Sequence, residues 1–174
     1  MLRSIAVSTL LLLAAQSQNG NPACDILKTT EVAALIGAGA HMISVSTNPS
    51  GAACMYQNGE KAISVMYVKQ TSAKNAALLW AAKKRVVTGK DVTGWSSKAY
   101  EGAMGIAPAI GLTKGVLFTE VKVIDDKQKM SVIAPKLRTV MKGVASRLGV
   151  ATASSSVLLR SRRQHRFDRS SRRA

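Results

Sequence analysis

The chain has 174 residues, carries 25 Lys and Arg against 9 Asp and Glu for a formal charge of +16, and is 47% apolar but only 4% aromatic. That length suits one domain, or one domain with a tail, and the apolar fraction excludes a wholly disordered chain, a collagen-like repeat and a disulfide-dense miniprotein. The charge favours anionic partners (nucleic acid, phospholipid headgroups, acidic polymers) without naming one, because net charge governs solubility and non-specific attraction rather than chemistry.

Arg3 precedes an uncharged run over residues 5–15, and Ala15-Gln16-Ser17 places small residues before a cut after Ser17. This is the pattern of a secretory signal peptide over residues 1–17. The run is too short for an anchor, since as a helix it would rise about 16 Å, roughly half of a ~30 Å hydrocarbon core. Asn21-Pro22-Ala23-Cys24 lacks the aliphatic residue of a lipoprotein signal, which argues against a lipid anchor. No later stretch approaches ~20 apolar residues, so no transmembrane span and a periplasmic or secreted location are expected.

Export takes Cys24 and Cys54, the only cysteines, into an oxidising compartment where a pair closes into a structural disulfide. The rival readings are a free reactive thiol and a metal site. A metal site needs three or four ligands and the only imidazole in the body of the chain is His41, and redox catalysis would want Cys-x-x-Cys. No metal and no cofactor is expected.

After a polar lead-in, Thr29 and Thr30 offer hydroxyl caps and Glu31 an early acid for a short helix over 31–36, closed by Gly37. Residues 37–40 turn the chain, placing His41 in the turn, and 42–47 read as a strand broken by Asn48-Pro49-Ser50-Gly51. Runs over 53–57 and 62–68 flank Asn58-Gly59, the strongest short hairpin signal, expected as a type I′ turn with positive φ at both residues. Residues 72–87 form a helix capped by Thr71 or Ser72, with Lys83, Lys84 and Arg85 in the last turns where the helix dipole favours cations. Residues 88–91 and 93–94 read as loop and 98–104 as a short strand. Residues 111–115 are expected to turn before a long strand over 116–124, rich in β-branched residues. Asp125-Asp126 would cap a last helix whose Met130, Ile133, Leu137, Val140, Met141, Val144 and Leu148 share one face, while Pro135, Arg138 and Lys142 project from the other. Gly149 ends it.

Beyond Val150 the composition changes. Residues 18–150 hold 14 Lys and 3 Arg against eight acids, whereas residues 151–174 hold 7 Arg, no Lys and one acid. The sequence therefore divides into a leader over 1–17, a domain over 18–150 with net charge +9, and a Ser/Arg-rich tail over 151–174 with +6, which has too little apolar surface to offset ordering.

Catalytic and cofactor motifs fail on inspection. Gly37-x-Gly39 follows a helix rather than a strand and lacks the third Gly of a dinucleotide loop, Gly89-Lys90 is not a P-loop, and the acids are scattered. The candidate ligand or surface residues are His41, Trp95, Tyr100 and the basic cluster Lys83, Lys84 and Arg85. Two of these have a plainer reading: His41 as an exposed loop residue, the cluster as helix-terminal cations. With few aromatics for stacking and no reader motif, no specific nucleic-acid role is expected.

Cys24-Asp25-Ile26-Leu27, then Gly51-Ala52-Ala53-Cys54-Met55-Tyr56, then 94–100, 111–115 and the closing helix resemble uncharacterised bacterial cell-envelope families, many of them lipoproteins, that share a Cys-Asp-Leu-Leu start and a Gly-x-x-Cys-x-Tyr second cysteine. The resemblance covers residues 24–149. It implies paired cysteines and a small α+β domain, and carries no catalytic residues with it.

The expected fold is thus α+β, a single small domain with an antiparallel sheet, helices packed on one face, and the Cys24–Cys54 disulfide clamping the first helix to the second strand. The expected function is that of an exported, non-enzymatic, monomeric binding module of the bacterial envelope with an anionic ligand or an envelope protein as partner. The alternatives are a hydrolase-like enzyme with a loop-assembled site around His41 or 95–100, and weak polyanion binding through the Arg-rich tail.

Overall fold

The computed structural model describes residues 20–151; the expected leader over 1–17 and nearly all of the tail lie outside them. The first helix, α1 (Thr29–Ile36), begins two residues earlier than the sequence suggests, so Thr29 and Thr30 are helical rather than caps. Its start is held from within, the Glu31 carboxylate accepting from the Lys28 amide at 2.8 Å, which satisfies an otherwise orphan donor.

Three antiparallel strands follow: β1 (His41–Asn48), β2 (Gly51–Asn58) and β3 (Lys61–Lys69). His41 is the first residue of β1 and exposed, not part of the preceding turn. The Asn58-Gly59 hairpin is present, but Asn58 pairs with Lys61 and the two loop residues are Gly59 and Glu60. Only Gly59 has a positive φ, 61°, the requirement of a type II′ turn rather than type I′. Asn58 is thereby free to donate from Nδ2 to the carbonyls of Ile36 and Ala38, both at 2.9 Å, tying the end of α1 to the hairpin.

The second helix, α2 (Ala73–Val86), is capped by Ser72, whose hydroxyl accepts from the Asn75 amide at 3.1 Å. Lys90–Asp91, expected as loop, forms the short strand β4 against β5 (Ala99–Met104). Residues 111–114, expected as a turn, belong instead to β6 (Ala107–Lys114), which pairs with β5 and with β7 (Leu117–Ile124). Asp125 does not cap the last helix, α3 (Met130–Arg147). Its Oδ1 accepts from the Lys127 and Gln128 amides in the turn before it, and its Oδ2 lies 3.4 Å from Lys61 Nζ. Pro135 sits inside α3, on its solvent side. At the end of α3, Gly149 adopts φ 71° while the Val150 and Gly149 amides bond back to Ala145 and Ser146, a Schellman cap.

The seven strands run in the order β1-β2-β3-β7-β6-β5-β4. A meander starts at the β1 edge; α2 carries the chain to the opposite edge, and β4 to β7 return to the middle, where β7 pairs with β3. Alternation along the strands divides the apolar residues between two faces. Ile63, Val65, Val121 and Val123 pack with α1 and α3 in the larger core. Val68, Phe118, Tyr100 and Ala109 face the other way and pack under Leu79 and Trp80 of α2. The fold is α+β with an antiparallel sheet as expected, but the helices do not share one face: α1 and α3 cover one, α2 the other.

The Cys24–Cys54 disulfide joins the lead-in to α1 with β2 across a Cα separation of 5.2 Å. Tyr56, two residues on in β2, donates from its hydroxyl to the Cys24 carbonyl at 2.9 Å. Among the described residues no helix is long and apolar enough to cross a membrane.

Candidate functional site

A cleft of about 490 Å³ opens where α3, the β5–β6 hairpin and the segment leaving α2 meet. Each wall follows from local sequence. Met130, Ala134 and Leu137 recur at steps of four and three and so form one stripe of α3. Glu101 and Ala103 of β5 lie opposite Ile110 and Pro108 of β6, so the alternation of the strands turns all four to the α3 side. Val87, Thr88 and Lys90 close the third side. Pro108 lies beyond the last β6–β7 pair, Ala109 with Lys122, where its missing N–H costs that ladder nothing.

The third wall is strained. Thr88 has φ 49°, a left-handed conformation that a β-branched side chain rarely adopts and that costs roughly 1–3 kcal/mol. It is held there by the Thr88 and Gly89 amides bonding back to Arg85 and Lys84, and by the Ala103 amide donating to the Val87 carbonyl at 2.7 Å. Gly102 lets this segment approach β5: a Cβ there would stand 2.7 Å from Gly89 Cα.

The polar side chains of the cleft are Thr88, Lys90 and Glu101. Glu101 is gripped by the Arg138 guanidinium, whose Nε donates to Oε2 at 2.9 Å and whose Nη2 bonds both carboxylate oxygens. That hydrogen bonding, with the Glu101 charge, raises the Arg138 pKa above its ordinary value against the opposing effect of burial. Glu101 also lines a second, more polar hollow of about 190 Å³ with Trp95, Arg138 and Lys142. Met130, one of the cleft's lining residues, is an exposed apolar side chain, as are Met104 and Ile106 of the β5–β6 hairpin.

The residues singled out from sequence do not converge. Trp95 lines the polar hollow. Tyr100 is fully buried on the opposite face of the sheet, where its hydroxyl meets the Glu120 carboxylate. Burial, then the hydrogen bond and charge of Glu120, push its pKa far above the usual phenol range. His41 stands on β1, at the sheet edge remote from β5, beside a hollow of only about 90 Å³. Lys83, Lys84 and Arg85 end α2 and do not line the cleft; Lys84 pairs with Asp91 at 2.8 Å and stands 5.2 Å from the Trp80 ring centre. No group of three His, Cys, Asp or Glu side chains suited to a metal ion occurs among the described residues.

Sequence reasoning missed Glu101, Arg138 and Lys142 as site residues, and singled out Lys90 only as a companion of the basic cluster that ends α2. The one available signal was the spacing of Arg138 and Lys142 on a single helix face, which reads equally well as solvated surface. No family model, curated protein or solved structure matches the chain.

Proposed function

We propose that the chain is an exported binding module of a bacterial cell envelope, with no catalytic step of its own, and that its ligand is an anionic molecule with an apolar body held in the cleft between α3 and the β5–β6 hairpin. The observation that carries this reading is the make-up of the cleft. Its volume falls in the range of small-molecule sites, its walls are mostly apolar, and its one acid is occupied by Arg138. A hydrolytic centre needs a nucleophile, a base and an orienting group within hydrogen-bond reach of one another, and the side chains facing this cleft offer a threonine hydroxyl, a lysine and an engaged carboxylate. The strain held at Thr88 is further support, since such conformations cluster at ligand sites.

The export pattern, the Cys24–Cys54 disulfide and the resemblance to envelope families support the location in this proposal. The decisive measurement is a fluorescence titration with anilinonaphthalenesulfonate, an apolar anion. The native protein is expected to bind it in a saturable way, and Ala134→Phe, which fills the cleft from α3, to abolish binding while the circular dichroism spectrum is unchanged. Binding that survives a folded Ala134→Phe protein removes the cleft as the site.

A further inference from the structure

We infer that the apolar cleft and the polar hollow are two ends of one site for a single-chain amphiphile with a carboxylate head, the alkyl chain lying along α3 in the cleft and the head replacing Glu101 on Arg138. This rests on the reading of the cleft as the ligand site and assigns the ligand's class and direction.

The two hollows share Glu101, and the neighbouring helix residues Leu137 and Arg138 line one each. At the residue they share stands the Glu101–Arg138 ion pair, which is partly exposed, with side-chain exposures of 36% and 49%. The guanidinium is open enough for a ligand to reach it, and a carboxylate of the same shape can take the place of Glu101 by making the same forked hydrogen bonds. The head end then holds a surplus of cations. Lys142 lies one helical turn beyond Arg138 and lines the same hollow, while Asp91, the other acid there, is tied to Lys84. The displaced Glu101 side chain has a second cation within reach, because Lys90 lies directly opposite it across β4 and β5. The apolar end is closed to charge: Met130, Ala134, Ile110 and Pro108 offer an alkyl chain only hydrocarbon and sulfur.

The test uses the full chain and dansylaminoundecanoate as reporter, displaced by dodecanoate, dodecanol or dodecyltrimethylammonium below their micelle concentrations. Dodecanoate is expected to displace the reporter at about tenfold lower concentration than dodecanol, the ammonium being weakest. Glu101→Gln, which frees Arg138, is expected to widen the preference for dodecanoate over dodecanol several-fold; Arg138→Gln is expected to erase it and Lys142→Gln to reduce it, the ratio of the two displacing concentrations being read in each. Melting curves establish that each variant is folded. Equal displacement by dodecanoate and dodecanol, or a preference unmoved by Glu101→Gln and Arg138→Gln, overturns the carboxylate site while leaving the cleft as a binding site. Failure of the folded wild-type protein to bind the reporter overturns both.

Discussion

Tyr100 and Gly111 face each other across β5 and β6, and the phenol ring covers the bare backbone of the glycine so closely that a Cβ on Gly111 would stand 2.6 Å from Tyr100 Cε1. The ring is thereby aimed along the sheet, and its hydroxyl reaches Glu120 on β7. Gly111→Ala is expected to destabilise by about 1–3 kcal/mol through overpacking, and Tyr100→Phe by about 1–3 kcal/mol by taking the hydroxyl from a buried carboxylate. Urea denaturation measures both. The combination of Gly111→Ala with Tyr100→Ala is expected to cost less than the sum of the two single changes, because Tyr100→Ala removes the clash; strict additivity would show that the ring is not what excludes a side chain at 111.

The same tyrosine shapes the alkaline limit of stability. Burial raises the pKa of Tyr100 strongly, reinforced by Glu120, and raises that of Tyr56, with the Asp25 charge adding to it. Above pH 10 the unfolded chain releases protons that the folded chain keeps, so the unfolding free energy falls as pH rises past that point and is undiminished by these groups below it. Absorbance at alkaline pH is expected to show Tyr56 and Tyr100 ionising together with loss of the circular dichroism signal. Ionisation of all tyrosines with the fold intact would contradict this.

At the acid end the governing group is Glu31. Burial alone would raise its pKa, but the Arg147 guanidinium bonds both its oxygens at 2.7 Å and the Lys28 amide adds a third bond, and together these hold it below the ordinary 4.5. The stabilisation it gives is complete above about pH 4.5 and disappears as pH falls through the lowered value. Glu31→Gln is expected to cost about 1–2 kcal/mol at neutral pH and to flatten the loss of stability below pH 4.5, read from denaturation midpoints across pH 3–7.

Reduction of Cys24–Cys54 opens a loop whose ends are 30 residues apart, and on the chain-entropy model removes about 3–4 kcal/mol. A drop in Tm on the order of 10 °C is expected with reductant. No change in Tm under conditions that free both thiols would show that the bonds around Tyr56 and Asn58 hold α1 on the sheet unaided.

The strained turn at the cleft makes a prediction of opposite sign. Thr88→Gly relieves the left-handed φ and is expected to raise stability by about 1 kcal/mol, whereas Gly102→Ala, which forces the Val87–Gly89 segment off β5, is expected to lower it and to weaken anilinonaphthalenesulfonate binding. A folded Gly102→Ala protein with unaltered binding would show that this segment is not a working wall of the cleft.

Much of the fold is legible locally. The α2 cap, the β2–β3 hairpin to within one residue of its turn, the apolar stripe of α3 apart from its exposed first residue Met130, and the glycine stop all depend on residues within a few positions of one another. The misreading of β6 and that of the helix faces have a common source. The strand β6 is buried on nearly its whole length because α3 covers one side and α2 the other, so Ala107-Pro108-Ala109-Ile110-Gly111-Leu112 shows none of the alternation that marks a half-exposed strand. The two-sided burial that hid β6 also invalidates the expectation of helices on one face. Likewise Gly111, read as a turn residue, is a strand glycine required by a tyrosine eleven residues away in sequence.

The amino-acid sequence by itself determined the α+β class, the two cysteines that pair and the helix and hairpin boundaries to within a few residues, because capping, turn geometry and periodicity are short-range. Only the tertiary structure decided which face each helix covers, and that Glu101 meets Lys90 in the cleft and Arg138 and Lys142 in the adjoining hollow. Arg138 is 37 residues from Glu101, and whether a charged helix position faces water or a carboxylate depends on which strand the sheet order brings beside it. No local pattern encodes that order; it is fixed by how β7 returns to pair with β3.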